Sequence, residues 1–156
     1  MTFAATDTPG IAELTDDNLR QAISQARRSS DVVIAMPHWG PEDSPIPNSY
    51  ELHFAQEAVK DGADLVVGNH THVVQAIQKI DGIDVFYGLG NFVFDQTWAL
   101  DHQQGLILKV TFEGTKLRGY ELIPTHVDGD GTVHLAGPEE AASILQRIDK
   151  ASVSLH

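Results

Sequence analysis

Short runs of β-branched and other apolar residues alternate along the chain with longer stretches in which apolar residues recur at helical spacing. Residues 31–36 and residues 64–67 are such short runs, and they predict buried strands. Between them lies a helical stretch that Asn48 or Ser49 caps and Gly62 ends. Because a strand, a crossover helix and a second strand normally form a parallel pair, we expect both strands to end at the same edge of one sheet.

The remaining pattern predicts two more helices and two β-hairpins. These elements are a helix that starts at Thr15, a hairpin of residues 73–80 and 83–87 around Asp81-Gly82, a hairpin of residues 105–113 and 116–126 around Gly114, and a closing helix over residues 138–150. Hairpins pair their strands in the antiparallel sense. The pattern therefore predicts a single α/β domain over residues 1–156, with a mixed sheet, flanking helices and a C-terminal antiparallel part.

Three histidines follow the two strands of the predicted crossover unit. His38 comes just after the first strand, and His70 and His72 come just after the second. Ligands of open α/β folds bind at the carboxyl ends of the strands, and neutral imidazole is the commonest protein ligand of divalent transition metals. In an extended chain, His70 and His72 also project to the same side. We therefore predict a metal site with these three histidines as ligands, although a lone histidine at a strand end more often satisfies backbone groups.

Several motifs occur in a fixed order along the chain. They are His38-Trp39-Gly40 with Glu42, residues 62–68, His70 with His72 and Val73, and Tyr87 with residues 89–95. In this order they resemble the CapA-like capsule and poly-gamma-glutamate synthesis proteins, a family of the calcineurin-like metallophosphoesterase superfamily. The resemblance implies part of a metallophosphoesterase-like sandwich. It also implies a divalent transition metal, either manganese, iron or zinc, in a centre that holds two ions in the complete protein.

The resemblance further implies ligands that the sequence lacks. Complete members carry, ahead of the motifs seen here, an Asp at a strand end, a further Asp and an Asn-His motif, which supply a bridging carboxylate, other ligands and a catalytic histidine. Residues 1–11 are too short for these parts, and Asp7, Asp16 and Asp17 fall in a tail and at a helix start. We therefore expect the chain to correspond to the C-terminal portion of the domain. The expected site is incomplete, and we assign no catalytic residue.

Three polar residues near these motifs are weaker candidates for orienting a ligand or binding substrate. Glu42 either accepts a hydrogen bond from a ligand imidazole or is a solvated loop carboxylate. Asn91 either donates to a substrate phosphate or oxyanion or, with Gly88 and Gly90, marks a tight turn that needs positive φ. Asn69, directly before His70, is the third candidate.

Other potentially reactive residues are expected to be structural. Trp39 is expected to form a hydrophobic wall. Asp128-Gly129-Asp130-Gly131 resembles the start of a calcium loop but lacks the remaining ligands, so we expect a turn. Five histidines have no partner motif and are expected at the surface or in the core: His53, His102, His126, His134 and His156.

Composition narrows the classes of partner. The chain has 156 residues, 42% of them hydrophobic and 21% charged, which is ordinary for a folded domain. Its formal charge of −12 argues against nucleic acid or an anionic membrane as a partner. There is no cysteine, which excludes thiolate metal sites. No apolar run approaches the ~18 residues of a membrane-spanning helix. We expect no direct membrane insertion by this chain, and its compartment stays open.

The sequence therefore predicts a protein of capsule or poly-gamma-glutamate biosynthesis with a metallophosphoesterase-type site. Its substrate would be a phosphoester or an anionic polymer. We expect hydrolysis only if a companion chain supplies the absent ligands, and we expect the isolated chain to self-associate or to bind that companion. Two alternatives stay open: a non-catalytic module that binds a polymer or partner, and one subunit of a split metallohydrolase.

Overall fold

The computed structural model describes residues 2–155, so Met1 and His156, one of the five histidines named above, lie outside it. Helix α1 spans Asp16–Arg27, and the side chain of its N-cap residue Thr15 accepts a hydrogen bond from the backbone N–H of Asn18 at 3.2 Å. Helix α2 spans Ser49–Lys60 and is capped by Asn48. Thr15 was the predicted start of α1, and Asn48 was one of the two residues predicted to cap α2, because Ser, Thr, Asn and Asp side chains satisfy the free N–H groups of a first turn.

The main sheet contains four strands in the order β1-β2-β4-β3. Their bounds are Ile34–Ala35 for β1, Leu65–Val67 for β2, Ile77–Ile80 for β3 and Ile83–Phe86 for β4. β1 pairs parallel to β2, and β2 pairs parallel to β4, whereas β3 and β4 form the antiparallel hairpin. The structure thus confirms the parallel crossover unit and the mixed sheet.

Two strands are shorter than the sequence pattern predicts. β1 has two residues rather than six, in part because the N–H of Val33 donates to the Asp64 carboxylate at 2.7 Å instead of to a neighbouring strand. β3 starts at Ile77 rather than at residue 73, because the chain is still turning at Val73. An isolated bridge between Val74 and Leu89 continues the hairpin beyond its regular part.

A second, antiparallel sheet follows the main one. Its strands are Gln104–Glu113 for β5, Lys116–Val127 for β6 and Val133–Leu135 for β7. The hairpin of β5 and β6 turns at Gly114, whose φ is 60°. The sequence did not predict β7, which has only three residues. It also did not predict the short 3-10 helix Leu100–Gln103. Helix α3 spans Pro138–Val153, and Gly137 precedes it as the N-cap.

The elements form layers around the main sheet. Val66 and Val85 lie on the face that α1 and α2 cover with Ile23, Phe54 and neighbouring side chains. The opposite face carries Leu65, Val67 and Phe86, which contact Leu108 and Leu122 of the second sheet. Ile144 and Ile148 of α3 pack against Val74 and Leu106. This arrangement confirms the α/β fold with flanking helices and a C-terminal antiparallel part. Within residues 2–155, every helix is too short or too polar to cross a membrane.

Candidate metal centre

The carboxyl ends of β1 and β2 bring His38 and His70 together. Beyond the regular strands the parallel pairing continues: the N–H of Asn69 donates to the carbonyl of Pro37 at 2.9 Å, and the N–H of Trp39 donates to the carbonyl of Asn69 at 3.1 Å. This extension places the rings of His38 and His70 with centroids 4.5 Å apart. The predicted convergence of these two loops at one sheet edge is therefore present in the structure.

His72 joins them by a different route from the one the sequence suggested. The expectation of an extended His70-Thr71-His72 segment was wrong, because φ is 100° at His70 and 61° at His72. The chain turns sharply here, and Thr71 is buried, with its hydroxyl donating to the carbonyl of Val73 at 3.1 Å. The ring centroids of His70 and His72 nevertheless lie 6.1 Å apart. Positive φ is uncommon for residues other than glycine and often accompanies functional sites.

Glu42 forms a set of possible metal ligands with His70 and His72. One ligand atom from each of Glu42, His70 and His72 lies within 4.8 Å of the other two. The loop of Glu42 is tied to the histidine loop by Asp43, whose N–H donates to the carbonyl of Thr71 at 3.0 Å. One carboxylate with two imidazoles is a donor set that divalent transition metals accept. Ligand atoms that share one such ion lie about 3–4 Å apart, so binding would draw these side chains together.

His38 lies beside this set rather than in it. Among residues 2–155, the mutually close ligand atoms are those of Glu42, His70 and His72, and His38 is not one of their group. Partial burial lowers the pKa of His38 below its ordinary value of 6.5, and the charges of His70 and His72 lower it further. A lowered pKa increases the fraction of neutral imidazole at pH 7, which is the form that ligates metals.

Asn91 fixes the orientation of His72. Its side chain is buried, its Oδ1 lies 2.8 Å from Nδ1 of His72, and its Nδ2 donates to the carbonyl of His102 at 3.0 Å. Because that carbonyl only accepts, the amide oxygen must face His72, and Nδ1 of His72 must carry the proton. Nε2 of His72 is then left with a lone pair for a ligand.

The amide of Asn91 is therefore directed at protein groups. Among residues 2–155, the side chain that hydrogen-bonds the imidazole of His72 is Asn91 rather than Glu42. The turn interpretation of this segment also holds, since Gly90 has a φ of 72°. A Cβ at Gly90 would meet the carbonyl oxygen of Gln104 at 2.5 Å. The side chain of Asn69 is exposed, and Asn69 serves the site through the backbone pairing described above.

Trp39 anchors the loop of His38, as expected of a hydrophobic wall. It is buried, stacks on Tyr87 with centroids 5.7 Å apart, and donates from Nε1 to the carbonyl of Tyr87 at 2.9 Å. Gly68 allows this approach, because a Cβ there would lie 2.2 Å from Nε1 of Trp39. The next residue, Gly40, has a φ of 80° and lies against the buried carboxylate of Glu51.

His102 is the site-adjacent residue that the sequence did not identify. It is buried, and its Nε2 lies 2.5 Å from the carboxylate Oδ1 of Asp43. Its ring centroid lies 6.4 Å from that of His72. The two partners are 59 positions apart and belong to no motif, so only the folded chain reveals the pair. The other described histidines outside the motifs also contact carboxylates: His53 contacts Asp16, His126 contacts Glu140, and His134 contacts Asp128.

An apolar loop borders the candidate centre on one side. The ring of Phe94 lies 5.0 Å from that of His72, and the ring of Trp98 lies 5.5 Å from that of His102. The large apolar side chains of this loop are all exposed: Phe92, Val93, Phe94, Trp98 and Leu100. The centre therefore lies between a polar loop that carries Glu42 and an apolar loop that follows Asn91.

Comparison with known proteins agrees with the motif order. Residues 2–96, which include every candidate ligand, match the family model described as bacterial capsule synthesis protein PGA_cap. The chain belongs to this family. The PGA biosynthesis protein CapA of Bacillus subtilis (strain 168) is 36% identical over 136 residues, which cover 82% of this chain and 36% of that protein.

Other relatives are also named as capsule or polyglutamine synthesis proteins. The capsule biosynthesis protein CapA of Bacillus anthracis is 35% identical over 109 residues, 67% of this chain and 26% of that protein. A probable polyglutamine synthesis accessory protein of Mycobacterium tuberculosis is 27% identical over 95 residues, 61% of this chain and 25% of that protein. The present CapA-like chain thus spans only about a quarter to a third of the length of these curated relatives.

Proposed function

We propose that this CapA-like chain is the metal-binding portion of a protein of capsule or poly-gamma-glutamate biosynthesis. Glu42, His70 and His72 would hold a divalent transition metal, either manganese, iron or zinc, and His38 would be a further ligand or a hydrogen-bond donor to substrate. The observation that carries the proposal is the approach of one carboxylate and two imidazoles to within 4.8 Å. The names of the curated relatives support the biosynthetic setting.

The local chemistry fits such an ion. Asn91 accepts a hydrogen bond from Nδ1 of His72, which leaves Nε2 free. Desolvation and the charges of His70 and His72 lower the pKa of His38, which favours its neutral form. When bound, a metal of this class lowers the pKa of a bound water and polarises a phosphoryl oxygen. The residues of the chain would orient the substrate at the sheet edge, where the ring of Phe94 lies beside that of His72.

We further propose that phosphoester hydrolysis needs a companion segment or chain. Within residues 2–155, one cluster of three close ligand groups is present. A two-ion centre takes more ligands than that, including a bridging carboxylate. This chain would then be one part of a metallophosphoesterase-type domain, whether joined to the rest or supplied as a split subunit. The alternative, a non-catalytic module that binds polymer or partner, is favoured by the exposed apolar loop beside the centre.

Calorimetry with manganese and with zinc at neutral pH tests the metal site. We expect one ion per wild-type chain and no binding by the His70→Ala, His72→Ala double variant, because two of its three ligand groups are gone. The His53→Ala, His134→Ala double variant is the matched control, since it also removes two histidines but only from exposed positions. Equal binding by wild type and the His70, His72 double variant would contradict the proposal.

Turnover of an aryl phosphodiester separates the enzymatic proposal from the binding-module alternative. We expect hydrolysis only when the chain is mixed with a companion segment from a full-length relative, and we expect His38→Ala to reduce it. Metal binding without hydrolysis in that mixture would favour the binding module. Metal-dependent turnover by this chain alone, abolished by His38→Ala, would overturn the need for a companion.

A further inference from the structure

A series of hydrogen bonds connects the two loops that carry the candidate ligands. Nδ1 of His72 donates to Asn91, the Asn91 amide donates to the carbonyl of His102, and the His102 ring contacts the Asp43 carboxylate. The backbone N–H of Asp43 completes the series by donating to the carbonyl of Thr71, which directly precedes His72. The two loops are thus joined directly by the backbone hydrogen bond from Asp43 to Thr71, and a second time through the side chain of His102.

His102 and Asp43 have opposite environments. The side chain of His102 is only 7% exposed, whereas that of Asp43 is 66% exposed. The buried member therefore anchors the exposed one. Asp43 also has a φ of 64°, a backbone conformation that needs support from its surroundings in residues other than glycine. Anchoring Asp43 fixes the direction in which the chain leaves toward Glu42.

The hydrogen-bonding state of His102 follows from its partners. A carboxylate only accepts at neutral pH, so Nε2 of His102 must carry the proton that is donated to Asp43. Its Nδ1 is buried and has no hydrogen-bond partner among residues 2–155. Leaving a buried polar atom unpaired costs free energy. A leucine would fill this position without that cost, so packing alone does not account for a histidine here.

We propose that His102 is a positioning residue that holds the carboxylate of Glu42 at the metal centre through Asp43. This inference rests on the proposed metal site. Groups that orient metal ligands from behind typically change metal affinity by ~10–100-fold when they are removed. The expected effect of losing the His102 donor is therefore a weaker site with an intact fold.

Two substitutions at His102 separate positioning from packing. His102→Leu removes the donor and keeps an apolar side chain of similar bulk. His102→Gln keeps an N–H donor close to the position of Nε2. We expect His102→Leu to weaken zinc or manganese binding by at least ~10-fold and His102→Gln to restore most of the affinity. His126→Leu is the matched control, because it breaks another half-buried histidine–carboxylate pair, with Glu140, outside this series.

A double-mutant cycle with Glu42→Gln tests the route of the effect. If His102 acts through Glu42, His102→Leu causes little additional loss of metal affinity in the Glu42→Gln background, because coupled residues are not additive. Equal losses in both backgrounds, or wild-type affinity in His102→Leu, would overturn the inference. Thermal unfolding of each variant identifies any loss of affinity that comes from unfolding instead.

Hydrogen exchange provides a readout that needs no metal. The amide of Asp43 should exchange faster in His102→Leu and at the wild-type rate in His102→Gln, while the amide of Val66 in the central strand changes in neither. If wild-type protein binds no metal, the proposed function fails, and this exchange pattern still decides whether His102 holds the loop. Unchanged exchange at Asp43 in His102→Leu would overturn the inference in either case.

Discussion

Positive φ angles concentrate around the candidate centre. In residues 2–155, four residues other than glycine have positive φ, and three of them, Asp43, His70 and His72, lie in the two loops that carry the ligand groups. The fourth, Asp81, lies in a hairpin turn. Such conformations cost about 1–3 kcal/mol each where the residue does not favour them, and they persist only when the surroundings hold them. The site is therefore built from loops that the buried residues beneath them must support.

Gly40 lies in the loop of His38 and packs against the buried side chain of Glu51, so its substitution tests how firmly that loop is held. A Cβ at Gly40 would lie 2.4 Å from the carboxylate of buried Glu51, and φ is 80°. We expect Gly40→Ala to lower the free energy of unfolding by more than ~2 kcal/mol, from strain and overpacking together. Gly62→Ala should cost about 1 kcal/mol, because φ is 103° but nothing lies within 4 Å of its Cβ.

Urea denaturation of both variants measures the difference. Gly129→Ala is the second control, because a Cβ there has open space and no positive φ is involved. A loss for Gly40→Ala no larger than that for Gly62→Ala would show that Glu51 moves aside freely. The loop of His38 would then rearrange at a lower cost in free energy than its close packing against Glu51 suggests.

The candidate ligands were accessible from the sequence because each follows a recognisable strand or motif. His38, His70 and His72 lie at strand ends, and Glu42 lies within a motif. Their final geometry could not be predicted, because positive φ is usually signalled by a glycine and here it occurs at His70 and His72. Local chemistry thus predicts which residues meet, while tertiary contacts decide the angles at which they meet.

Elements whose ends carry capping or turn residues were predicted best. Thr15 and Asn48 cap α1 and α2, and Asp81-Gly82 joins β3 to β4 with two positive φ angles. These signals act within a few residues and need no tertiary structure. The length of β1 and the presence of β7 depend instead on which neighbour is available for pairing, and sequence periodicity holds no information about that.

The contacts of Glu140 in α3 with Gln104 and His126 of the second sheet lead to a prediction of pH dependence. Desolvation alone would raise the pKa of Glu140, but hydrogen bonds from Gln104 and His126 and the charge of Arg147 outweigh it, so the pKa lies below its ordinary 4.5. A carboxylate with a lowered folded-state pKa stabilises the fold above its unfolded-state pKa. That contribution is lost as the pH falls through the folded-state pKa.

We therefore expect wild-type protein to lose stability below pH 4.5 more steeply than Glu140→Gln does. At neutral pH the free energies of unfolding of wild type and Glu140→Gln should differ by less than ~1 kcal/mol, because Glu140 and His126 are partly exposed to solvent. Urea unfolding at a series of pH values measures the stability of both proteins. Glu139→Gln, which removes a neighbouring charge from the same first turn of α3, should change the pH dependence less, and identical profiles for the two variants would contradict the role of Glu140.

On the scale of the whole molecule, exposed apolar surface favours association with another chain, whereas the net charge opposes association with a second copy. β1 is the end strand of the four-stranded sheet, and its Ile34 and the following Met36 are exposed. The exposed apolar loop of residues 92–100 lies beside the candidate centre. Free strand edges and contiguous apolar patches tend to be covered by another chain. The formal charge of −12 opposes the approach of a second copy.

Because salt screens repulsion between like charges but leaves apolar burial in place, self-association of this chain should strengthen as ionic strength rises. Sedimentation at ~50 mM and ~500 mM salt measures the degree of self-association, since the Debye length falls severalfold over this range.

We expect Ile34→Lys to weaken an association through the β1 edge, because a charged side chain protects a free edge. Trp98→Ser should weaken an association through the apolar loop. Leu135→Ser, which changes an exposed apolar residue of β7 that belongs to neither surface, should have less effect than either substitution. A monomer at both salt concentrations would contradict self-association and leave a companion chain as the expected cover for these surfaces.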